Sequence, residues 1–442
     1  MKRISVTVIL PLLMAFTLPA QQDPDVSLQH WPQWRGPLFS GAAAQGNPPV
    51  EFGESKNLKW KVRIPGKGHS TPVVWGDYLV VTTAVPTDRK PPKGENRQEG
   101  MRVGPPSTGT EFIHRFNVML VNRHHGEILW TTTVAEEFPL ERTHDLGSWA
   151  SNSPITDGER IYAYFGSRGI HCLDFKGNVI WSKDFGQMEK VMSFGEGSSP
   201  ALYDNRLVIV WDHEGESFIV TLDARTGEEL WRVKRDEQSS WSTPLVIEAG
   251  GRNQVITSAT KKVRSYDLAD GSLIWESTGM TRNVIPNPVY AHGVLYIMSG
   301  YRGAALQAID PTIASGTVQG TPALLREYNQ DTPYTPAPLL MDGLLYFLRN
   351  NNGYLTCMDA RTGEVKYASQ KIEGINAIYS SPTGAAGRIC FAATGRAVVV
   401  QAGPEFKMLA SNALDDTFHA SPIVVGDALY LRGFEYLYCF QE

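Results

Sequence analysis

Short apolar runs bounded by turn-forming residues recur along most of the chain. Tyr78–Val81 and Leu344–Phe347 are two such runs, and each follows a small residue and a proline. Apolar segments of this length between Gly, Pro, Asp and Asn residues predict β-strands. The pattern therefore predicts an all-β protein made of many short strands.

A small residue followed by proline precedes the first strand of each repeating unit. Proline is tolerated there because it occupies the first residue of a strand. Successive prolines are 82, 46, 44, 44, 50, 44 and 40 residues apart. The pairs are Thr71-Pro72, Ser153-Pro154, Ser199-Pro200, Thr243-Pro244, Asn287-Pro288, Ala337-Pro338, Ser381-Pro382 and Ser421-Pro422.

The third and fourth strands carry a second recurring pattern, which is Asp, a turn glycine and then tryptophan. Leu222–Trp231 and Tyr266–Trp275 are clear copies, and other copies end at Trp130, Trp181 and Tyr367. The glycine supplies the positive φ of the turn, and the tryptophan offers a large apolar plate to the neighbouring unit. Units of about 44 residues with four short strands are typical of β-propeller blades.

Eight units can be counted, but the last one is incomplete. It begins at Ser421-Pro422 and has three strands by Cys439-Phe440, whereas the strand Leu58–Val62 precedes the first unit. Pairing that strand with the last unit closes the ring and removes a free sheet edge. We therefore expect residues 58–442 to form a single eight-bladed β-propeller of four-stranded blades, the last closed by an N-terminal strand. Seven blades are the alternative.

Some segments depart from the repeat. We expect Ala323–Leu325 to replace the tryptophan strand of blade five, and blade seven is irregular near Phe406–Met408. Residues 21–57 form an N-terminal extension, and residues 85–112, rich in Pro, Gly and charge, form an insertion in blade one. Long loops in a compact fold are usually functional or disordered, and the sequence leaves this choice open.

The first twenty residues have the features of a secretory signal peptide. Lys2 and Arg3 precede the apolar stretch Ile4–Leu18, which is too short for a stable membrane span. A plausible cleavage site follows at Leu18-Pro19-Ala20, and no cysteine near it indicates a lipoprotein. We expect residues 1–20 to be removed and the protein to be periplasmic or secreted, with no membrane span.

The charge argues against an overall attraction to nucleic acid. The formal net charge is -5, from 41 Lys and Arg against 46 Asp and Glu, and no run of five basic residues occurs. Without residues 1–20 the balance becomes 39 against 46, or -7. A local basic patch remains compatible with this balance.

The four cysteines do not indicate disulfides. Cys172, Cys357 and Cys439 occupy the same strand position in different units, too far apart for a bond, and Cys390 lies in another strand. We expect buried free thiols. No Cys-x-x-Cys occurs, which argues against a zinc ribbon or a c-type haem site.

The Asp-x-x-x-Gly-x-x-x-Trp units resemble pyrroloquinoline quinone (PQQ) repeats. From residue 30 to residue 440 the chain resembles secreted bacterial PQQ-binding-like β-propeller repeat proteins, with typical motifs at Trp31–Pro37, Asn57–Lys61 and Thr281–Pro288. The resemblance implies the propeller fold and leaves the activity open. Relatives implied by it include the outer-membrane assembly scaffold BamB, which is not catalytic, and quinoprotein alcohol dehydrogenases.

The dehydrogenases of this superfamily bind PQQ and calcium, and they carry two adjacent cysteines beside the cofactor. This chain has no adjacent cysteines, and their Asp base and Glu, Asn and Asp calcium ligands cannot be aligned with it. We therefore assign no cofactor. PQQ with calcium remains the cofactor of the alternative, dehydrogenase interpretation.

The turns between the second and third strands are expected on one face of the propeller. Six of the seven turns in blades two to eight carry Arg or Lys, and one carries His. Such a basic rim would attract an anion, and arginine would bind its carboxylate or phosphate bidentately. Solvated hairpin tips are the alternative. The residues are Arg168, His213, Lys261, Arg302, Arg349, Arg396 and Arg432.

The loops that lead into each first strand reach the same face nearer the axis. Their candidate ligand-binding residues are His69, Trp149, Glu196, Trp241, Arg282, Asn283 and His419. Trp149 and Trp241 would form a stacking floor for a planar ligand, or ordinary packing in the channel mouth. His69 and His419 belong to neighbouring blades and would bind a metal with Glu196 if they met, but we assign no metal.

No nucleophile motif is present, and no catalytic residue is assigned. We expect an exported, monomeric binding protein or protein-interaction scaffold whose basic face suits an anionic small molecule or a protein partner, with no role in nucleic-acid binding. A PQQ-dependent dehydrogenase and a module that recognises acidic glycans are the alternatives. Whether the protein is an enzyme is left open.

Overall fold

The computed structural model describes residues 24–91, 111–139 and 141–442. In these residues, eight antiparallel sheets surround an axis as the blades of a propeller. Helix is limited to α1 (Pro24–Ser27) and two short 3-10 helices, Gly166–Arg168 and Val191–Ser193. The predicted signal peptide and residues 92–110 of the predicted insertion lie outside the described residues. No helix in the described part is long and apolar enough to cross a membrane.

The first four blades follow the predicted four-strand pattern. One strand, β1 (Leu58–Arg63), precedes them. Blade one contains β2 (Val73–Trp75), β3 (Tyr78–Pro86), β4 (His114–Asn122) and β5 (Ile128–Glu137). Blade two contains β6 (Ile155–Thr156), β7 (Arg160–Tyr164), β8 (Ile170–Asp174) and β9 (Val179–Lys183). Blade three contains β10 (Ala201–Tyr203), β11 (Arg206–Trp211), β12 (Ser217–Asp223) and β13 (Glu229–Arg235). Blade four contains β14 (Leu245–Ala249), β15 (Arg252–Ser258), β16 (Val263–Asp267) and β17 (Leu273–Ser277).

The later blades keep this order with local changes. Blade five contains β18 (Val289–Ala291), β19 (Val294–Ser299), β20 (Ala305–Ile309) and β22 (Leu324–Tyr328), and its β21 (Gly316–Thr317) joins blade four. Blade six contains β23 (Leu339–Met341), β24 (Leu344–Leu348), β25 (Tyr354–Asp359) and β26 (Val365–Lys371). Blade seven contains β27 (Thr383–Ala385), β28 (Arg388–Ala393), β29 (Arg396–Gln401) and β30 (Met408–Ala413). Blade eight contains β31 (Ile423–Val425), β32 (Ala428–Arg432) and β33 (Tyr436–Phe440).

Ring closure follows the sequence prediction. Strand β1 pairs antiparallel with β33, so that Leu58 faces Phe440 and Arg63 faces Tyr436. The N-terminal strand thus becomes the outer strand of blade eight, and the eight-bladed count is confirmed. The degenerate fourth strands are also present, as β22 in blade five and β30 in blade seven.

The core lies between neighbouring blades, and the tryptophans of the repeat connect them. The Nε1–H of Trp231 in blade three donates to the carbonyl of Leu268 in blade four at 3.0 Å. Its ring lies directly against Gly271, where an added Cβ would come within 2.6 Å of it. Gly271 has a φ of +77°, so the turn requires glycine for both conformation and space. The same arrangement joins Trp60 to Gly126, Trp130 to Gly177 and Trp181 to Gly227.

Blade five uses two substitutes for this connection. Residues 310–323, here named the strap, cross to blade four, where β21 pairs in parallel with the edge strand β17. Ala314 and Val318 of the strap pack in one cluster with Trp275, which is completely buried. On the other side of blade five, Arg326 takes the place of the tryptophan: it donates to the carbonyl of Arg361 at 2.8 Å and covers Gly363.

The extension crosses one end of the central channel. Trp31 bridges to Val74 of blade one, and the carbonyl of Ser40 accepts the N–H of Leu340 in blade six at 3.0 Å. Ala42 pairs with blade seven, after which the chain runs outward to β1. The extension therefore ties together blades that are distant in sequence.

The four cysteines are buried and free, as expected. Burial raises the pKa of the Cys390 thiol to about 12, and the pKa of Cys172 and of Cys357 to about the same value. Thiols with such pKa values are not nucleophilic at neutral pH. The cysteines are thus packing residues.

Candidate functional site

The loops before the first strands surround a funnel on the propeller axis. The funnel encloses a cavity of about 250 Å³. Trp34, from the extension, reaches it from the closed end of the channel and donates its Nε1–H to Ser421 Oγ at 3.2 Å. Most of the larger lining side chains are aromatic: Trp34, His69, His144, Phe194, Trp241, Tyr334, Tyr379 and His419.

Small hydroxyl side chains hold the mouth of the funnel in shape. Ser or Thr precedes six of the eight strand-start prolines, and its hydroxyl accepts a hydrogen bond from a backbone N–H of the preceding blade, whereas the proline itself has no N–H to offer. The sequence pattern was recognised through its prolines, but the hydroxyls connect the blades. The bonds run from Thr71 to Ser153 (3.0 Å), Ser153 to Ser199 (2.9 Å), Ser199 to Thr243 (3.0 Å), Ala337 to Ser381 (2.9 Å), Ser381 to Ser421 (3.2 Å) and Ser421 to Thr71 (3.0 Å).

One wall of the funnel is a cluster of imidazole and aromatic rings. The rings of His69 and His419 lie 4.8 Å apart, and each lies 4.8 Å from the ring of Phe434. Burial lowers the pKa of His419 to about 4 and holds the pKa of His69 well below its usual value. Both imidazoles are therefore neutral at neutral pH. The Nε2 atom of His69 is buried and has no hydrogen-bond partner in the described part of the protein.

Glu196 does not join these histidines. Its Oε2 accepts the backbone N–H of Ser167 at 2.7 Å, and its Oε1 accepts the hydroxyl of the same serine. Within the described ranges, no group of three or more His, Cys, Asp or Glu residues is arranged to hold a metal ion. The histidine pair predicted from the sequence is thus formed, but without a third ligand.

Cations lie behind the aromatic lining. The guanidinium carbon of Arg35 lies 5.9 Å from the centre of the Trp34 ring, and Lys190 Nζ lies 5.1 Å from that of Trp241. Lys67 Nζ is 5.8 Å from the Phe434 ring. Among the described residues, none of these three cations is within salt-bridge distance of a carboxylate. They direct positive potential toward the funnel through side chains of low polarity.

Arg432 is a fourth such cation, and it lies beside His69. It donates to the backbone carbonyls of Thr82 at 2.7 Å and Ser70 at 3.0 Å. Arg35 is bound in the same way, to the carbonyls of Pro338 and Pro382. Burial lowers the pKa of both arginines to about 9, so they keep their charge at neutral pH.

One carboxyl group near these cations, that of Glu141, is largely uncharged at neutral pH. Burial raises the pKa of Glu141 to about 8, so this carboxyl is largely protonated at neutral pH, and its Oε2 is buried without a described partner. Glu141 lies in the loop between blades one and two, where its Oε1 accepts the N–H of Lys190 at 2.9 Å. At neutral pH Glu141 therefore offsets little of the positive charge of Lys190.

The basic rim predicted from the hairpin turns is only partly exposed. Arg168 has a side chain that is 6% exposed and forms an ion pair with Glu137 at 3.3 Å. His213 is buried and its Nδ1 accepts the N–H of Glu189 at 3.0 Å, while Arg432 is buried between blades. These three side chains are held by the protein itself, which corrects their expected place on an exposed rim.

The other four turn residues reach solvent. Lys261 Nζ donates to the carbonyl of Asp236, which follows the last strand of blade three, and Arg396 lies near Ser411. Arg302 lies over the ring of Tyr301 at 5.3 Å, and Arg349 lies over that of Tyr354 at 4.1 Å. Their binding of an anion remains a prediction.

The predicted strand-start residues are divided between the funnel and its surroundings. His69, Glu196, Trp241 and His419 line the funnel. Trp149 does not: it packs against His114 at 4.6 Å and donates to the carbonyl of Glu141. Arg282 is exposed outside the funnel, and the N–H of Asn283 donates to Thr260 Oγ1 at 3.2 Å.

Sequence reasoning missed several residues of the lining. Trp34 belongs to the motif that carried the family resemblance, but its position in the extension gave no sign that it reaches the axis. Tyr334, Asn351 and Tyr379 lie in loops around blades five, six and seven, where the repeat is least regular. The expected floor of Trp149 and Trp241 is therefore replaced by Trp34 and Trp241.

A sequence model of one protein family, described as outer membrane protein assembly factor BamB, matches residues 114–370. This chain belongs to that family. The match confirms the resemblance to PQQ-like repeat propellers related to BamB and the quinoprotein dehydrogenases. A sequence comparison with curated proteins finds no match.

Solved structures resemble this BamB-family propeller over most of its length. BamB from Moraxella catarrhalis aligns with a TM-score of 0.57 at 12% identity, covering 87% of this chain and 99% of that one. Quinohemoprotein alcohol dehydrogenase from Comamonas testosteroni gives 0.63 at 11% identity, covering 93% and 80%. A europium-containing methanol dehydrogenase gives 0.60 at 11%, covering 94% and 91%. At these identities the similarity concerns the fold alone.

The funnel does not fit the PQQ and calcium that the dehydrogenase resemblance implies. Calcium takes six to eight oxygen ligands, usually with several carboxylates. Glu196 is the only carboxylate among the described lining residues, and Ser167 engages both of its oxygens. No step of a quinone-dependent reaction follows from these residues.

Proposed function

We propose that this BamB-family propeller is an exported binding protein whose funnel takes a small ring compound carrying a carboxylate. The ring would lie against Trp34 and Trp241. Its polar groups would meet the hydroxyls of the Ser and Thr residues that precede the strand-start prolines and line the funnel. The proposal of export follows from the signal-peptide features of residues 1–20.

One observation carries the preference for an anion. The aromatic walls are backed by Arg35, Lys67, Lys190 and Arg432, and no carboxylate in the described residues forms an ion pair with any of them. Breaking a buried ion pair costs free energy, because it leaves a charge without its partner. An anion in the funnel would be attracted to these cations without breaking any ion pair. The proposal therefore keeps the anionic ligand that the basic rim predicted, but assigns its attraction to these four cations.

The lining also favours binding over catalysis. His69 and His419 are neutral at neutral pH and packed against aromatic rings, and Glu196 is held by Ser167. These groups can orient a ligand through hydrogen bonds and stacking. No pair among them forms the nucleophile and base that acyl or glycosyl transfer would require.

Isothermal titration calorimetry of the mature protein tests the proposal. The probes are galacturonic acid, benzoic acid and their neutral counterparts galactose and benzyl alcohol, which separate a sugar acid from an aromatic acid. We expect one of the two acids to bind and its neutral counterpart to bind at least about tenfold more weakly. If neither acid binds, the proposed function is wrong.

Two variants locate the site. Trp241→Leu should remove stacking, and Lys67→Met should remove the positive charge nearest the mouth, each with a loss of affinity of about fivefold or more. Lys262→Met is the matched control, because Lys262 is paired with Glu276 at 2.7 Å and does not line the funnel. Equal effects of Lys67→Met and Lys262→Met would place the bound anion elsewhere.

A titration with PQQ, with and without calcium, separates the dehydrogenase alternative. Tight binding that depends on calcium would contradict the poor fit of the funnel for this pair. Weak binding that does not depend on calcium would mean that the funnel takes PQQ in the same way as other ring compounds that carry a carboxylate.

A further inference from the structure

A second cavity lies beside the funnel, between blades five and six. This cleft encloses about 380 Å³ and is open to solvent. Its polar side chains come from two segments, residues 329–332 and the turn at 349–350. They are Asn329, Gln330, Asp331, Thr332, Arg349 and Asn350.

The cleft and the funnel share one wall. Tyr334, Thr335 and Asn351 line the funnel, whereas the residues immediately before them in each segment line the cleft. Hydrogen bonds join the two segments: Asn350 N–H donates to the carbonyl of Thr332 at 2.9 Å, and Thr335 N–H donates to Asn351 Oδ1 at 2.9 Å. A ligand that extends from the funnel over this wall would enter the cleft.

The arginines near the cleft have no acidic partner. Arg349 lines it, Arg302 adjoins it next to Gly303, and neither is within salt-bridge distance of a carboxylate among the described residues. Arg235, by contrast, is paired with Asp212 at 2.7 Å. Asp331 is the one acid in the described lining, and its Oδ2 already accepts the hydroxyl of Ser369 at 2.8 Å.

The backbone around the cleft is held in a conformation that side chains disfavour. Arg302, Asp331 and Asn350 have φ values of +53°, +55° and +55°. Gly300 closes the wall so tightly that an added Cβ would lie 2.5 Å from the carbonyl of Thr332. Strain of this kind persists where surrounding structure fixes it, and it is frequent at ligand sites.

We propose that the funnel and the cleft together bind an acidic oligosaccharide. One sugar ring occupies the funnel, and the carboxylate of a neighbouring ring reaches Arg349 in the cleft. Arginine binds a carboxylate bidentately, and the amides of Asn329, Gln330 and Asn350 suit the hydroxyls of a sugar. This inference rests on the proposed function of the funnel, because it extends that site to a second ring.

The test is a calorimetric comparison of galacturonic acid with its dimer and trimer on the mature protein. We expect the affinity to rise by about tenfold or more from monomer to trimer, as one charge-assisted contact provides. Arg349→Gln should abolish most of this rise. Arg349→Lys should keep part of it, and Arg225→Gln, an exposed arginine of blade three, should keep all of it.

The outcomes separate the two proposals. If the monomer binds but the trimer binds no better, or if Arg349→Gln leaves the rise intact, the cleft is not a subsite and the function of the funnel stands. If neither monomer nor trimer binds, the proposed function itself fails. If neutral oligosaccharides show the same rise, the role assigned to the arginine is wrong.

Discussion

Two arcs of the ring connect neighbouring blades through different residues: a regular arc from blade eight through blade four, and an irregular arc from blade four through blade six. From blade eight through blade four, each tryptophan docks on the turn glycine of the next blade and donates to a carbonyl there. From blade four through blade six, the strap covers Trp275 and Arg326 replaces the tryptophan. The difference teaches that different residue types can cover the edge of a blade at these junctions.

The irregular arc is also where the structure departs most from its repeat on the axial face. The cleft lies between blades five and six, and Tyr334 and Asn351 enter the funnel from the same region. A strict repeat would present the same turn at every blade. The exceptions supply the asymmetry that a binding site for one ligand needs.

The largest expected effect comes from the junction of blades four and five. Trp275→Ala should lower the free energy of unfolding by about 4 kcal/mol, because the ring is fully buried under the strap and its Nε1–H bonds to Gln254 at 3.1 Å. Trp231→Ala in the regular arc is the matched variant, and we expect about 3 kcal/mol, since that ring is partly exposed. Denaturant titrations measure both. A smaller loss for Trp275→Ala would mean that the strap adds little to its junction.

Glycine substitutions separate conformation from crowding. Gly271→Ala should cost about 3 kcal/mol, because a Cβ there meets the rigid Trp231 ring at 2.6 Å and φ is +77°. Gly363→Ala has the same φ but meets the side chain of Arg326, which can move, so about 2 kcal/mol is expected. Gly251→Ala is the control, since its φ is +75° and nothing lies within 4 Å. Equal losses for all three would show that only the backbone conformation matters.

Glu141, in the loop between blades one and two, makes one contribution to the pH dependence of stability. Its pKa is about 8 in the folded protein against 4.5 for the ordinary carboxyl. Below pH 4.5 the group is protonated in both states. As pH rises toward 8 only the unfolded chain loses the proton, so stability falls, and the loss is complete above 8. Glu141→Gln should therefore gain about 2 kcal/mol over the wild type at pH 9 and nothing at pH 4. A parallel pH profile in the two proteins would contradict this assignment.

The smallest expected effect comes from a variant that restores the tryptophan of the repeat in the irregular arc. Arg326→Trp should change the free energy of unfolding by less than about 1 kcal/mol, because the indole can cover Gly363 and donate to the carbonyl of Arg361 as Arg326 does. Arg326→Ala, which removes both contacts, should cost about 1 to 2 kcal/mol. Thermal unfolding of the two variants measures the difference. A large loss for Arg326→Trp would show that the two side chains are not equivalent at this junction.

Most of the fold could be predicted because its signals are local. Each Ser-Pro or Thr-Pro pair and each Asp-to-Trp unit marks one strand or turn, and the unpaired Trp60 strand indicates the closure. The strap could not be predicted, since Gly316 and Thr317 are exposed and carry no pattern. The role of Arg326 could not be predicted either, because its aliphatic stem and guanidinium make the contacts that tryptophan makes in the other units.

The candidate site was predictable only as far as topology determines it. The strand-start loops were expected on the axis, and the structure places His69 and Trp241 there. The path of Trp34 depends on contacts made hundreds of residues away in sequence, with Ser421 for example. The direction of a turn side chain is likewise set by its neighbours: Arg168 turns inward because Glu137 is within reach.

The pairing of β1 with β33 gives the chain a fixed order of assembly. Leu58 is made early during translation, but its partner Phe440 lies in blade eight and is made only after the other seven blades. Until then the extension lacks the blade-seven and blade-eight strands against which it packs. Contacts of such sequence separation form late and slowly. Deletion of β33 should thus leave the first and last segments unpaired at the same time, and a nascent chain should remain open until blade eight has been made.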